Sequence, residues 1–233
     1  MLAFDIPEWL VYGVIGIVLV AIVVAVSAAR ARKRTQALAD AARDIGFRFE
    51  GKAWSDPEQS GDLKMAVFQE GSGRAFRNIM TGDSAGLRAA LFDYSYVTGG
   101  GTESSTTAQT VASFRTAGVA LPQFELAPAG LMAKIGNALV HNNIRFDADP
   151  EFSKRYQLTS GDEPGTRALF TPALLSFFKG LDPQAKWRFA GLGQTLIVYR
   201  SGKRIKPADL KAFFAETSVL AGSFFSLAAP RNA

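Results

Sequence analysis

Residues Trp9–Ala29 read WLVYGVIGIVLVAIVVAVSAA, a run of 21 residues without a charged side chain. At about 1.5 Å per residue, a helix of this length reaches about 31 Å and can cross the hydrocarbon core of a bilayer. Its β-branched residues would otherwise favour a strand, but a lone segment in lipid satisfies its backbone N–H and C=O groups only as a helix. The run therefore predicts a single transmembrane helix, around which the rest of the chain is organised.

A cleaved signal peptide is the main alternative for the same residues, and a buried core helix is another. The segment before the run carries Asp5 and Glu8 and no Lys or Arg, although Ala25–Ala28 resembles a small-residue cleavage site. The run is also longer than the usual apolar region of a signal peptide. Because most of these features favour a retained anchor, we expect residues 1–8 to form a short extracytoplasmic tail.

Four cationic residues follow the run directly: Arg30, Arg32, Lys33 and Arg34, which we call the basic collar. The positive-inside rule places this end of the helix in the cytoplasm. Cationic side chains at this depth also attract anionic lipid, so we expect the collar to face lipid headgroups. The sequence therefore predicts a single-pass protein of the bacterial inner (plasma) membrane, with its C-terminal domain in the cytoplasm.

The composition excludes several classes of function. The 233-residue chain has a net charge of +5, of which the collar contributes four positive charges, so we expect no nucleic-acid partner. The chain contains no cysteine, which excludes disulfides, Cys-liganded metals and a Cys nucleophile. Its single histidine, His141, excludes a His-rich metal site and lies in a polar segment typical of a solvated turn.

A strand with two different faces is predicted from Gly86 to Val97, because unlike residues alternate there with a period of two. The glycines at 99–101 then turn the chain into a β-branched segment, 106–114, which completes a hairpin. One face of the first strand carries Leu87, Ala89, Leu91, Asp93 and Ser95, and the other carries Arg88, Ala90, Phe92, Tyr94 and Tyr96.

Similar patterns predict the remaining elements, with neighbouring strands paired antiparallel as a meander. The fold class is therefore α+β: an N-terminal transmembrane helix, then an antiparallel sheet or partial barrel of about six to eight strands, with covering helices and a long C-terminal helix. A pleckstrin-like barrel is an alternative. Helices are expected at 35–45, 131–140, 163–170, 172–178 and 207–227, strands at 47–50, 75–80, 123–126, 144–146, 187–190 and 195–200, and turns at 81–83 and 191–193.

These elements divide the chain into an anchor and one domain. We expect residues 9–29 to cross the membrane and residues 30–46 to form a basic juxtamembrane segment and helix. Residues 47–229 should then form one cytosolic α+β domain, which is within the usual size of a single domain.

Four motifs together resemble a family of bacterial proteins that pair one N-terminal span with a cytosolic domain and have no assigned function. The resemblance covers most of residues 70–200, and it implies the same membrane-anchored architecture without implying an activity. The motifs are LFDYSYVTGGG at 91–101, QTV at 109–111, LPQFELAP at 121–128 and PEFSKRYQL at 150–158.

Asp93 is the main candidate for a ligand contact, because an acid inside a strand must find a partner or face water. A hydrogen bond to the region of Thr98 or Gln109 across the hairpin would explain it structurally. A binding surface that Asp93 shares with Tyr94 and Tyr96 would explain it functionally.

Other candidate chemistry is weaker. Asp147 and Asp149 resemble paired carboxylates that hold a divalent ion, but two acids before a proline are more typical of turn and cap residues. The glycines at 99–101 lack the lysine and the helix start of a phosphate-binding loop, and no GxSxG nucleophile motif occurs. We therefore expect no catalytic residue, no metal and no cofactor.

The favoured function is a membrane-anchored cytosolic binding or scaffold domain without enzymatic activity, whose partners are membrane lipids and a protein. One alternative is a membrane-bound hydrolase or metal-dependent transferase that uses Asp93, Asp147 and Asp149. Another is a membrane-lipid-sensing domain that uses the basic collar and exposed aromatic residues.

Overall fold

A computed structural model describes residues 7–52, 64–130 and 142–229 of the chain. The predicted anchor lies in helix α1, Glu8–Asp44, which continues without a break from the apolar run through the basic collar. The large apolar side chains between Tyr12 and Val26 are exposed, while Leu38 and Ala42 in the last turns are buried. Among the described residues, α1 is the one helix that is long and apolar enough to span a membrane.

Gly46 ends α1 at the position predicted. Its φ of 76° lies in the left-handed region that glycine adopts without steric cost, and its N–H bonds to the carbonyl of Arg43.

The strands that follow are β1 Arg48–Gly51, β2 Ser72–Ser84, β3 Leu87–Thr98, β4 Ser105–Arg115, β5 Leu121–Pro128, β6 Asn142–Ile144, β7 Tyr156–Ser160, β8 Arg188–Gly193 and β9 Thr195–Tyr199. The shorter helices are α2 Pro150–Arg155, α3 Glu163–Leu169 and α4 Pro172–Gly180, and the long C-terminal helix is α5 Leu210–Ala228.

The nine described strands form one sheet in the order β1-β2-β3-β4-β9-β8-β5-β7-β6, with every pair antiparallel. The α+β class is confirmed, and the sheet has one strand more than the upper expected number. The predicted antiparallel pairing of neighbouring strands is confirmed from β1 to β4 and again for β6–β7 and β8–β9. The β8–β9 hairpin lies between β4 and β5, so the prediction that β4 and β5 pair is wrong.

Two hydrophobic clusters lie on opposite faces of the sheet. The first, around Leu91, Phe114 and Phe124, packs against α1, α4 and α5. The second, around Phe92, Tyr94 and Tyr199, lies under residues 65–68. Leu91 and Phe92 are neighbours on β3, which confirms the predicted alternation of faces along this strand.

Several predicted boundaries are corrected. The turn expected at 81–83 is wrong, because β2 continues to Ser84 and the chain reverses at Ala85 and Gly86, which both have positive φ. The turn of the β8–β9 hairpin lies after Leu192, which pairs with Thr195. Strand 144–146 is replaced by Asn142–Ile144. The predicted helix at 131–140, His141, most of residues 1–8 and the C-terminal residues 230–233 lie outside the described residues.

Candidate functional site at the juxtamembrane helix

Asp93 lies in the middle of β3, is only 6% exposed, and is the centre of a polar network that joins α1 to the sheet. Its Oδ1 accepts hydrogen bonds from Arg34 Nη2 at 2.9 Å and from Thr110 Oγ1 at 2.8 Å. Its Oδ2 accepts from Arg34 Nε at 3.0 Å, Asn78 Nδ2 at 2.8 Å and Arg204 Nη2 at 3.1 Å. Because a carboxylate offers about four lone-pair sites, these donors occupy it fully.

The local fold explains how these donors converge. Thr110 is directly opposite Asp93 in the β3–β4 register. Asn78 lies at a bulge in β2 and has a φ of 54°, a backbone conformation that Asn tolerates better than most residues. Arg34 reaches the same carboxylate from α1 with the planar two-donor geometry that suits a carboxylate. Thr35 adds a hydrogen bond to Asn78 at 2.8 Å, so two successive residues of α1 are fixed to the sheet.

The network keeps Asp93 ionised. Burial alone would raise the pKa of Asp93, but the hydrogen bonds and charge of Arg34, together with Asn78 and Thr110, hold it below its ordinary value. A carboxylate that is charged and already saturated by protein donors has no free lone pair for a metal and no proton to donate. This geometry argues for a structural ion pair rather than a catalytic acid.

The three predicted ligand residues do not come together. Asp93 lies on the helix-covered face, whereas Tyr94 and Tyr96 are buried in the cluster on the opposite face. Their rings stack on each other with centroids 5.5 Å apart, and burial raises the pKa of both phenols. A ligand role for these residues stays a prediction. The partner expected near Gln109 is its neighbour Thr110, while Thr98 is not among the donors described.

A basic groove opens beside the Asp93 network, with a volume of about 840 Å³. It runs between α1, the end of β1, the β2 bulge and the loop before α5. Ser27 and Ala28, which lie next to the end of the apolar run, are at one end of it. Among the described residues, the charged side chains that line it are all cationic: Arg30, Arg32, Arg34, Lys52, Arg77 and Arg204.

The four residues of the basic collar differ in their exposure to solvent. Arg30, Arg32 and Lys33 are exposed, and their contact with lipid stays a prediction. Arg34 is expected to face lipid as well; its side chain is only 18% exposed, pairs with Asp93 and lines the base of the basic groove, and its contact with lipid also stays a prediction. The position of Arg34 in the sequence indicates this contact with the sheet. Arg34 lies one helical turn before Leu38 and extends the stripe of α1 that packs on the sheet.

Of the two other acids considered as metal ligands, Asp149 has structural partners. Asp149 caps α2 by accepting from Phe152 N at 3.1 Å and pairs with Lys179, so its expected role as a cap is confirmed. Asp147 is exposed. In the sheet order β7, which follows α2, is five positions from β3, so Asp93 and Asp149 occupy separate regions. Within residues 7–52, 64–130 and 142–229, no group of three His, Cys, Asp or Glu side chains could hold a metal.

A second buried carboxylate, which was not predicted from the sequence, is Glu125 on β5; it is 5% exposed and lies on the face opposite Asp93. Neither carboxylate oxygen has a hydrogen bond of standard geometry among the described residues. Burial raises the pKa of Glu125 to about 7, although the charge of Arg188 and the backbone amide of Val67 lower it. The sequence feature that could have predicted this site is an acid between the apolar Phe124 and Leu126, both of which are buried in a strand that is covered on both faces.

These features define a class of protein: an antiparallel α+β domain locked onto the end of a helix that is long and apolar enough to span a membrane. A protein of the same fold is the mycobacterial trehalose monomycolate transport factor A, TtfA, whose crystal structure matches with a TM-score of 0.56 and 14% identity. The match covers 87% of this chain and 99% of that one. No protein-family model matches the chain, and no curated protein matches it by sequence.

Proposed function

We propose that this protein is a membrane-anchored, non-enzymatic accessory of a lipid-handling assembly, with its domain on the cytoplasmic side of a bacterial inner membrane. The observation that carries the proposal is the continuity of α1. The same helix presents exposed apolar side chains at 12–26 and buried ones at Leu38 and Ala42. With α1 in the membrane, such a continuous helix holds the domain at the membrane surface in a fixed orientation, without a flexible linker.

The lipid-related part of the proposal is supported by the shared fold with the mycobacterial transport factor, whose description names a lipid that it helps to transport. The basic groove supports it independently, because a cationic surface next to a membrane span is suited to anionic lipid. The saturated Asp93 carboxylate and the separation of Asp93 from Asp149 favour a binding role over hydrolysis or group transfer.

Orientation is tested with single-cysteine variants, which are clean because the natural chain has no cysteine. Ser201→Cys lies in an exposed turn of the domain. We expect a membrane-impermeant maleimide to label it only after the inner membrane is permeabilised. Labelling in intact spheroplasts would place the domain outside and contradict the proposed orientation.

The function is tested by depleting the protein in its own cells and following pulse-labelled lipids. We expect newly made lipid to accumulate in the inner membrane while total lipid synthesis stays constant. The full chain should restore transport, and a chain that begins at residue 30 and lacks the anchor should not. Unchanged lipid distribution would refute the accessory role, and the loss of a specific lipid product would indicate an enzyme.

A further inference from the structure

We propose that the basic groove binds the phosphate headgroup of an anionic phospholipid from the membrane in which α1 is anchored. The inference rests on the membrane anchoring proposed above and names a ligand class for the groove. It is carried by three features of the groove: its charge, its position and the apolar surface that continues from it.

The groove has an excess of positive charge. Arg34 and Arg204 share one carboxylate, that of Asp93, and Arg204 remains 43% exposed. Four further cations line the groove and have no ion pair within the described part of the chain: Arg30, Arg32, Lys52 and Arg77. Among the described residues, six cationic side chains therefore face one acid, which leaves an excess of five positive charges in this part of the chain.

Guanidinium groups suit a phosphate in particular. An Arg fork can donate two parallel hydrogen bonds to phosphate oxygens, and Arg204 uses one of its donors on Asp93. The ion pair with Asp93 holds Arg34 and Arg204 at the base of the groove, so these cations do not have to be ordered when a ligand arrives. A volume of about 840 Å³ accommodates a phosphate with its glycerol and head substituent.

The position of the groove favours lipid over a soluble phosphate. Its upper end is formed by Ser27 and Ala28, at the end of the predicted span. One helical turn further towards the membrane, on the same face of α1, Val23 and Val24 are exposed. A phospholipid whose phosphate lies among the arginines can therefore place its acyl chains along these valines, which a soluble phosphate compound cannot do.

The test uses the full chain in neutral detergent micelles and native mass spectrometry of bound lipid. Phosphatidylglycerol is the anionic probe, and phosphatidylcholine of the same chain length is the neutral control. We expect the natural chain to retain phosphatidylglycerol preferentially. The double variant Lys52→Gln/Arg77→Gln should bind it about 30-fold more weakly, because each cation near an anionic lipid strengthens binding several-fold.

Lys52 and Arg77 are chosen because they lie on the sheet side and leave the Asp93 network and the collar intact. The matched control is Arg145→Gln/Lys211→Gln, which removes two exposed cations outside the groove. We expect the control to bind like the natural chain. Equal weakening in both double variants would show general surface attraction and overturn the proposal, as would unchanged binding in the groove variant.

Inorganic phosphate and glycerol 3-phosphate separate the two sources of the phosphate group. We expect neither to displace phosphatidylglycerol, since they lack acyl chains. Displacement at equal concentration would overturn the lipid assignment in favour of a soluble phosphate ligand. The lipid-labelling experiment on depleted cells is independent of this result: lipid binding without a transport defect would refute the accessory function alone, and a transport defect without lipid binding would refute this inference alone.

Discussion

Two buried carboxylates on opposite faces of one sheet have opposite properties. Asp93 is surrounded by donors from α1, β2, β4 and the loop before α5, and its pKa is lowered. Glu125 is buried to a similar degree without a hydrogen bond of standard geometry among the described residues, and its pKa rises to about 7. Burial raises the pKa in both cases, so the difference comes from the hydrogen bonds and the guanidinium that only Asp93 receives directly.

The two carboxylates affect the stability of the protein differently on the two faces of the sheet. On the Asp93 face the ion pair fixes α1 to the domain, and the residues involved are remote in sequence, since Arg34 and Asp93 are 59 positions apart. On the Glu125 face the carboxylate reduces stability whenever it is forced to ionise. Changes to the two acids should therefore have opposite effects.

The largest effect is expected for Asp93→Asn. The amide group turns a donor towards Arg34, Arg204 or Asn78, and the arginines lose their counter-charge, which should lower the free energy of unfolding by about 3 kcal/mol. For a chain of this size the melting temperature of the full chain in micelles should fall by about 10 °C. The control Asp147→Asn removes an exposed acid and should leave melting within about 1 °C.

Glu125→Gln should act through the pH dependence of stability. Since the folded pKa is raised from 4.5 to about 7, the natural chain should lose stability as the pH rises through this interval. The loss should reach the order of 3 kcal/mol at pH 8, and the variant should lack it. Thermal melting between pH 4 and 8 measures both slopes, with the exposed Glu103→Gln as control. An identical slope in the Glu125 variant would show that this carboxyl ionises freely.

Asp93 should behave in the opposite sense. Because its folded pKa is depressed, its contribution is complete above the ordinary value of 3.8 and is lost only as the pH falls below it.

Truncation should reveal the role of Arg34. A chain that begins at residue 35 lacks the guanidinium that neutralises Asp93, and it should be about 2 kcal/mol less stable than one that begins at residue 30. The matched control is the chain that begins at residue 30 and carries Arg34→Ala. Its melting temperature should equal that of the chain that begins at residue 35. If both chain lengths melt together, Arg34 does not stabilise the domain.

The smallest effect is expected for Thr110→Val. This change removes one hydrogen bond to Asp93 and the acceptor for Ile205 N, while four other bonds to the carboxylate remain. We expect a loss of about 1 kcal/mol in chemical unfolding. Thr106→Val, at an exposed position of the same strand, should be neutral; equal losses would assign the effect to strand propensity instead.

The sequence predicts the parts of the fold that depend on local pattern. The alternation along β3 predicts both faces of that strand correctly. The spacing of Leu210, Phe213, Phe214, Thr217 and Leu220 predicts an apolar stripe that forms the buried face of α5, where Phe214 is only half-buried. Strand order could not be predicted in the same way, because the insertion of β8 and β9 between β4 and β5 depends on contacts between distant segments.

The candidate site could likewise be predicted only in part from the sequence. An acid in the centre of a strand indicates that a partner must exist, and this points to Asp93. It does not indicate which of 26 Lys and Arg supplies the charge. Arg34 was predicted as part of a uniform basic collar because cationic residues at the end of a span usually face lipid headgroups. Arg34 differs from the other collar residues in its position on the face of α1 that carries Leu38.

A double-mutant cycle measures whether the ion pair between Arg34 and Asp93 locks α1 to the domain. Arg34→Gln, Asp93→Asn and the double variant are unfolded by urea in micelles and compared with the natural chain. We expect the double variant to be more stable than the sum of the single losses implies, with a coupling energy of about 2 kcal/mol. Losses that add to within about 0.5 kcal/mol would contradict it.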